Sequence, residues 1–281
     1  MRRWLLGLGL AAVVLTIAFV ALIALYVEQY LDAPLPIAED TLIEIPAGRG
    51  LSGIARELAA DGMLSQPRIW SLYGRYTGQA ARVQAGEYLV PTGETPRGLL
   101  DRLVAGKVYS RSVTLVEGWT FAQALAHLRA QAALRIETAD LDEDALAARL
   151  WPDDEELPGG RLEGWLFPDT YLYTRSDSDL DILARGVERM REELAAAWAE
   201  RAPELPLESP YEALILASII EKETALDSER TQVAGVMARR LRRGMRLQTD
   251  PTVIYGLGDA YDGNIRRADL RRDTPYNTYT R

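Results

Sequence analysis

YEALILASIIEKET, residues Tyr211–Thr224, followed by RLQTDPTVIYG at Arg246–Gly256, is the stretch around which the chain is organised. The first segment has no Gly or Pro and is rich in Ala, Leu and Glu, so it predicts a helix with an apolar surface. Glu221 and Glu223 lie at its end, and at about 100° per residue they point to nearly opposite sides. Each shares its side with apolar residues, and desolvation there keeps a carboxylic acid protonated, as a general acid must be. The residues alone do not choose between the two.

Two further blocks accompany these segments: LEGWLFPDTY at Leu162–Tyr171 and TPYNTYT at Thr274–Thr280. In this order and spacing the four blocks closely resemble the MltG (YceG-like) endolytic murein transglycosylases, over nearly the whole chain. In that family the first Glu of the EKET block is the catalytic acid, so the resemblance implies Glu221. Family members continue for several dozen residues beyond the TPYNTYT block. The resemblance therefore implies a C-terminally shortened catalytic domain.

The resemblance also implies a reaction. A lytic transglycosylase cleaves the β-1,4 bond between N-acetylmuramic acid and N-acetylglucosamine in peptidoglycan strands without water. Glu221 would protonate the leaving oxygen and then, as a carboxylate, take the proton of the muramyl C6 hydroxyl as this attacks C1. One carboxyl group suffices because the nucleophile is tethered within the substrate. The product is a 1,6-anhydromuramyl end, and cleavage of nascent strands would terminate their elongation.

Polar and aromatic residues of the other blocks are the candidates for substrate binding. Loop hydroxyls, amides and carboxylates can bond sugar hydroxyls and acetamido groups, and tyrosine rings can stack on sugar faces or serve structure instead. A conventional hydrolase would need a second carboxylate about 5–9.5 Å from the first, and the LEGWLFPDTY block offers two, whose alternative role is to anchor loops. The candidates are Gln248, Thr249, Asp250, Tyr255, Tyr276, Asn277, Glu163 and Asp169.

Composition narrows the class of protein. The net charge of −9 and the sequence pI of about 4.9 argue against nucleic acid as the main partner. The chain has no cysteine, which excludes disulfides and thiolate metal sites, and its one histidine, His127, cannot form a His-rich metal site. No P-loop or dinucleotide fingerprint is present, so no cofactor and no metal are expected.

The N-terminus predicts a membrane anchor. Trp4–Val27 carries no charge and is long enough for a hydrocarbon core of about 30 Å. Arg2 and Arg3 precede it and Glu28 follows it, which places the N-terminus in the cytoplasm. The alternative is a cleaved signal peptide, but the run exceeds a typical h-region and no A-x-A site ends it. We expect a single-pass protein of the cytoplasmic (inner) membrane whose remaining chain is extracytoplasmic or periplasmic.

The expected fold is α+β. Residues 1–30 form the cytoplasmic start and the transmembrane helix, and residues 31–40 a Pro-containing linker. Residues 41–108 form a small αβ module, and residues 109–281 a mixed α+β catalytic domain. Patterns in the catalytic domain predict Thr120 as the N-cap of one helix, and Asp227 or Ser228 as the N-cap of the helix after Tyr211–Thr224.

The small module shows the order strand, helix, helix, strand, which resembles the LysM-like module of the family. LysM modules bind glycan chains that contain N-acetylglucosamine. The aromatic residues Trp70, Tyr73 and Tyr76 recur at i, i+3 and i+6. This spacing favours a role in the core over a sugar-binding platform.

Four arginines crowd the end of the helix that follows the central one: Arg239, Arg240, Arg242 and Arg243. Interaction with the helix C-terminal dipole is the structural interpretation. Contact with carboxylates of the peptide stems is the functional one.

Two alternative functions stay open. The first is an inactive glycan-binding scaffold that contacts peptidoglycan synthases (penicillin-binding proteins). The second is a conventional muramidase that uses Glu221, a second carboxylate and water. Anhydro ends in the products distinguish a transglycosylase from a hydrolase, and binding without product marks the scaffold.

Overall fold

The computed structural model describes residues 2–152 and 155–281, with side chains from residue 10 onward. The chain forms two compact units: Met1–Arg111 with Thr174–Ser176, and Ser112–Tyr173 with Asp177–Arg281. The regular elements of the described residues are helices and two two-stranded sheets, joined by turns and loops. The predicted α+β class is confirmed.

Helix α1 (Arg2–Asp32) contains one stretch, Leu10–Asp32, that is long and apolar enough to cross a membrane. The helix continues past the predicted end of the span, and its last turns join the core of the first unit. Leu31 is fully buried, and Leu35 is buried just after the helix. The segment expected to be a linker therefore contributes to a packed core.

The first unit is built on an antiparallel pair of strands, β1 (Thr41–Ile45) and β2 (Gly86–Val90). Inward-facing side chains of these strands form one core with the last turns of α1 and with three further helices. Trp70 is fully buried at its centre, and its indole N–H donates to the Pro96 carbonyl at 2.7 Å. The helices are α2 (Leu51–Ala60), α3 (Pro67–Tyr76) and α4 (Pro96–Val104).

The predicted aromatic stripe on α3 is correct for Trp70 and wrong for Tyr76. Trp70 lies in the core, Tyr73 packs against its edge, and Tyr76 is 89% exposed. The reason is geometric, because a step of three residues falls about 60° short of a full turn. Over six residues the stripe drifts by about 120°, which takes Tyr76 off the buried face.

The second unit combines a sheet of β3 (Arg111–Thr114) and β4 (Thr170–Tyr173) with six helices. Trp165 lies in its main core, edge-on to Trp151 at 4.6 Å and stacked with Tyr211 at 5.9 Å. This contact ties the LEGWLFPDTY block to the start of the central helix. The helices are α5 (Phe121–Arg129), α6 (Glu143–Leu150), α7 (Asp179–Ala199), α8 (Pro210–Glu223), α9 (Asp227–Arg242) and α10 (Asp250–Leu257).

The predicted cap at Thr120 is confirmed, because its hydroxyl accepts the Gln123 N–H in a capping box. The predicted cap at Asp227 or Ser228 is wrong, since α9 starts at Asp227 and its N-cap residue is Leu226. The hydroxyl of Thr224 fixes this turn instead. It accepts the Leu226 N–H at 3.1 Å and donates to Glu229 at 2.8 Å.

Helix α8 is the predicted central helix. Ser209 caps it by accepting the Glu212 N–H, and proline occupies the first helical position, which suits its fixed φ. Leu216 and Ile219 form a small buried cluster with Met237 of α9. Each buried aliphatic side chain contributes about 1.5–3 kcal/mol. The cluster holds the two helices together.

Candidate functional site

The end of α8 presents its two carboxylates to different neighbours. The side chain of Glu221 is 30% exposed, and its Oε2 lies 3.1 Å from a guanidinium nitrogen of Arg230. Glu223 Oε2 accepts a hydrogen bond from the hydroxyl of Thr249 at 2.5 Å. The prediction that the two groups point to different sides is confirmed. Glu223 is engaged in holding another segment, whereas Glu221 faces a charged and partly open site.

Arg230 is the partner that sequence reasoning missed. We expected apolar neighbours beside Glu221, but α9 turns back against the end of α8 and brings Arg230 within 3.1 Å of its carboxylate. The same guanidinium lies 3.0 Å from Asp227. A carboxylate paired with an arginine has a fixed orientation as well as a stabilised charge. The residue follows nine positions later on another helix, so no spacing rule pointed to it.

Gly118, in the EGWT turn before α5, also lies against this end of α8. Its φ of +74° is in the left-handed region. A Cβ atom at this position would lie 3.2 Å from Lys222 Nζ and 3.7 Å from Glu221 Cγ. Glycine therefore serves both the backbone conformation and the close approach to Glu221. From this segment the sequence analysis singled out only Thr120, as a helix N-cap.

Glu163 has the anchoring role that we considered for it and is also desolvated. Its Oε2 accepts the N–H of Phe121, the first residue of α5, at 2.9 Å. Burial raises the pKa of the Glu163 carboxyl above its usual range, although the Phe121 hydrogen bond and the charges of Arg161 and Lys222 act in the opposite direction. Glu163 thus supplies a carboxyl group that keeps its proton to higher pH than a solvated glutamate.

Exchange of Glu163 for Gln is expected to remove a pH-dependent part of the stability. The folded pKa of Glu163 lies above the usual value of 4.5, so its stabilisation is complete below the unfolded pKa and is lost as the pH rises through the folded one. The Gln variant lacks this titration, but its amide oxygen can still accept the Phe121 N–H. We expect the Tm difference between variant and wild type to change with pH just above 4.5 and then to level off. Parallel Tm curves would contradict a buried carboxyl.

Tyr255 and Tyr276 form an aromatic pair near Glu163. Their rings are edge-to-face with centroids 4.8 Å apart, and both are more than a third exposed. Burial of the hydroxyl, followed by the charge of Glu163, raises the pKa of Tyr255 to about 12. Arg161 pairs with Glu143 at 3.1 Å and hydrogen-bonds Tyr276. These partly open rings can stack on a sugar face, as the sequence predicted.

The segment Gln248–Asp250 is fixed on several sides. Gln248 has a φ of +53° and is the one non-glycine residue in the described parts of the chain with a positive φ. Its backbone N–H donates to the Thr278 carbonyl at 3.1 Å, and the buried Thr249 hydroxyl bonds Glu223. Asp250 accepts from the Tyr279 hydroxyl at 2.6 Å. Backbone strain at a non-glycine residue is typical of functional sites.

Asp250, a predicted substrate-binding residue, is the first residue of α10. Its carboxylate is also committed to Tyr279, and this hydrogen bond raises the tyrosine pKa to about 12. Gln248 and Asp250 are exposed and Thr249 is buried, and the Gln248 backbone N–H is held by Thr278.

The structure gives Asn277 a structural role. It is 1% exposed, and its Oδ1 accepts the Tyr279 N–H at 2.9 Å. Its amide nitrogen donates to three backbone carbonyls, so the side chain is closed to a ligand in this arrangement. These carbonyls belong to Asp269, Leu270 and Arg272.

Asp169 likewise serves the local fold. Its Oδ1 accepts the N–H of Thr170 at 2.6 Å, and its backbone carbonyl accepts the Leu115 N–H at 2.9 Å. These bonds fix the entry to β4 beside the residue that follows β3. Asp169 is exposed, but both of these hydrogen bonds serve the sheet of β3 and β4.

Two of the arginines at the end of α9 donate hydrogen bonds to other segments of the chain. Arg240 donates to the Leu247 carbonyl at 2.6 Å and to Gln248 Oε1 at 3.3 Å. Arg242 donates to the Glu204 carbonyl at 3.1 Å. Arg240 therefore supports the strained segment that carries Gln248.

Comparisons with known proteins show what this chain is similar to. An endolytic murein transglycosylase of Bacillus subtilis (strain 168) is 29% identical over 249 residues, which is 84% of this chain and 68% of that protein. One from Streptococcus pneumoniae (serotype 2, strain D39) is 28% identical over 90% of this chain and 51% of its own length. The chain thus spans about half the length of the pneumococcal relative.

A crystal structure of a yceG-like protein from Listeria monocytogenes shares 28% identity over 87% of this chain and 84% of that chain, with a TM-score of 0.49. The YceG-like family matches residues 43–281, which include α8 and every candidate site residue. The chain therefore belongs to the YceG-like family.

Proposed function

We propose that this chain is a membrane-anchored lytic transglycosylase that cleaves peptidoglycan glycan strands internally, with Glu221 as its acid and base. The observation that carries the proposal is the position of Glu221. It is a partly exposed carboxylate at the end of α8, paired with Arg230 and approached by the backbone of Gly118. Glu223 is held by the Thr249 hydroxyl. Membership of the family and the names of the relatives support the same activity.

The chemistry requires Glu221 to give up one proton and then to accept another. Protonated Glu221 gives its proton to the oxygen between N-acetylmuramic acid and N-acetylglucosamine, and the C1–O bond breaks. The resulting carboxylate lies beside Arg230, whose charge stabilises it. The same carboxylate then accepts the proton of the muramyl C6 hydroxyl while that oxygen bonds to C1. Water takes no part, and the strand ends in a 1,6-anhydromuramyl residue.

Nearby residues would position the sugars. The partly exposed rings of Tyr255 and Tyr276 offer stacking surfaces, and the side chain of Gln248 offers an amide to sugar hydroxyl or acetamido groups. The Glu163 carboxyl, whose pKa is raised by burial, can contribute a hydrogen bond from the LEGWLFPDTY block. Positive charge that develops at the ring is stabilised by such pre-organised dipoles.

We further propose that α1 anchors the chain in the cytoplasmic membrane, with Arg2 and Arg3 inside and both units outside. In that position the enzyme acts on nascent strands beside their synthases. The strand–helix–helix–strand order of the first unit supports the name LysM-like. A groove of about 870 Å³, lined by the turn after β1, the start of α2, Arg75, Ala80 and Ala81, is large enough to take part of a glycan.

Product analysis tests the proposal. The full chain in detergent is incubated with purified glycan strands, because Leu31 of α1 belongs to the core of the first unit and the helix cannot be removed neutrally. We expect internal fragments with 1,6-anhydromuramyl ends by mass spectrometry. Reducing muramyl ends would instead show hydrolysis. If the folded protein binds strands but releases no fragments, it is a glycan-binding scaffold and not an enzyme.

A further inference from the structure

One face of α3 is exposed and carries both apolar and basic side chains. Arg68, Leu72, Arg75 and Tyr76 recur at i, i+4, i+7 and i+8, so they lie on one side of the helix. Leu72 is 67% exposed and Tyr76 is 89% exposed. Both are among the most exposed large hydrophobic residues outside α1. Arg75 also lines the groove described above, but none of the four residues belongs to the proposed catalytic site. The face therefore requires an explanation of its own.

Arg97 places this face close to the end of the apolar helix. Its guanidinium contacts Glu28 at 2.5 Å and the hydroxyl of Tyr73 at 2.7 Å. Glu28 directly follows Val27, the last residue of the charge-free run. The Arg97 guanidinium therefore holds the Tyr73 hydroxyl close to Glu28, the residue at which the apolar run ends. The headgroup region on each side of a hydrocarbon core is about 5–7 Å thick, so with α1 across the bilayer the Tyr73 end of α3 would meet the lipid headgroups.

The connection between α1 and the first unit is rigid. Asp32, in the last turn of α1, also pairs with Arg97 at 2.8 Å. Leu31 is fully buried in the unit's core, and Val27 and Tyr30 pack against that core. The helix therefore cannot swing away from the unit without breaking both an ion-pair cluster and apolar packing. The height of α3 relative to the end of the apolar run is fixed by the fold.

We propose that the face formed by Arg68, Leu72, Arg75 and Tyr76 docks on the anionic phospholipid headgroups of the bilayer that α1 crosses. The chain as a whole carries a net charge of −9, yet among the described residues neither arginine of this face is paired with a carboxylate. Arg68 is exposed, and Arg75 donates one N–H to the Ser52 hydroxyl at 2.6 Å and has further N–H groups for lipid phosphates. Leu72 and Tyr76 enter the interface as aliphatic and aromatic anchors do. The inference rests on the proposed membrane anchoring.

A single fluorescent label tests the docking. The chain has no cysteine, so Tyr76→Cys and Glu44→Cys each provide one unique labelling site. Glu44 is exposed on the side of β1 opposite to the buried Ile43 and Ile45, so it is the control within the same unit. The full chain is placed in phosphatidylcholine vesicles, with or without phosphatidylglycerol, that carry a quencher on the headgroup. Because both sites carry the same dye, the affinity of the dye itself for lipid is the same at the two sites.

We expect severalfold stronger quenching at position 76 than at position 44, and stronger quenching when phosphatidylglycerol is present. Adding Arg68→Gln and Leu72→Ser to the position 76 variant should reduce quenching toward the control, because both side chains are exposed and do not support the core. Flotation of the vesicles reports anchoring independently. Equal quenching at the two sites in protein that floats would overturn the docking and leave the anchor intact. A chain that does not float would overturn the anchor and the docking together.

Discussion

Replacement of Glu221 by Gln is expected to lower the rate of strand cleavage by about 10³-fold, within the range that general acid–base catalysis contributes. The amide has nearly the shape of the carboxylic acid and can still accept a hydrogen bond from Arg230, which lies 3.1 Å from the carboxylate. It has no proton to give to the leaving oxygen and cannot accept one from the C6 hydroxyl. Binding of glycan strands should therefore persist while product formation falls. Release of anhydromuramyl ends and strand co-sedimentation measure the two effects separately.

Glu223→Gln is the matched control. It makes the same chemical change two residues further along the same helix. The amide oxygen at position 223 can still accept the Thr249 hydroxyl that Glu223 Oε2 accepts at 2.5 Å. A weakened hydrogen bond is worth about 1 kcal/mol, so we expect less than a tenfold loss of rate. If the Glu223 variant were inactive and the Glu221 variant active, the assignment of the acid would be reversed.

The parts of the site that follow from local rules could be predicted from the sequence. Composition and the absence of Gly and Pro predicted the central helix, and the angle per residue placed its two carboxylates on different sides. The sequence also predicted Thr120 as the N-cap of α5, and the structure shows a capping box of Thr120 and Gln123 there. Each of these features depends on residues within one or two turns of the chain.

The contacts of Glu221 could not be predicted in this way. The pairing with Arg230 depends on the direction in which α9 leaves α8, and that direction depends on two hydrogen bonds of the Thr224 hydroxyl. Asn277 shows the same limit, since its pattern predicted sugar binding but three carbonyls from another turn surround its amide. Such partners are brought together by tertiary folding, and spacing along the chain does not encode them.

Gly118→Ala is expected to lower the rate of cleavage by about 10- to 100-fold, because misplacement of a catalytic group by about 1 Å can cost up to that much. The new Cβ would lie 3.2 Å from Lys222 Nζ and 3.7 Å from Glu221 Cγ. The lysine can move aside, but its displacement changes the surroundings of the carboxylate. The left-handed backbone conformation, with a φ of +74°, adds a folding cost of about 1–2 kcal/mol for any residue with a Cβ.

Gly244→Ala separates these two effects. Gly244 follows α9 with a φ of +63°, so alanine there carries a similar backbone cost. A Cβ at this position would meet no atom within 4 Å. We expect both variants to lose a similar amount of Tm, and only Gly118→Ala to lose cleavage at a temperature where both are folded. Equal activity of the two variants would mean that the EGWT turn stabilises the fold without positioning Glu221. Loss of cleavage at position 118 alone would mean that its backbone forms part of the wall against which the acid is held.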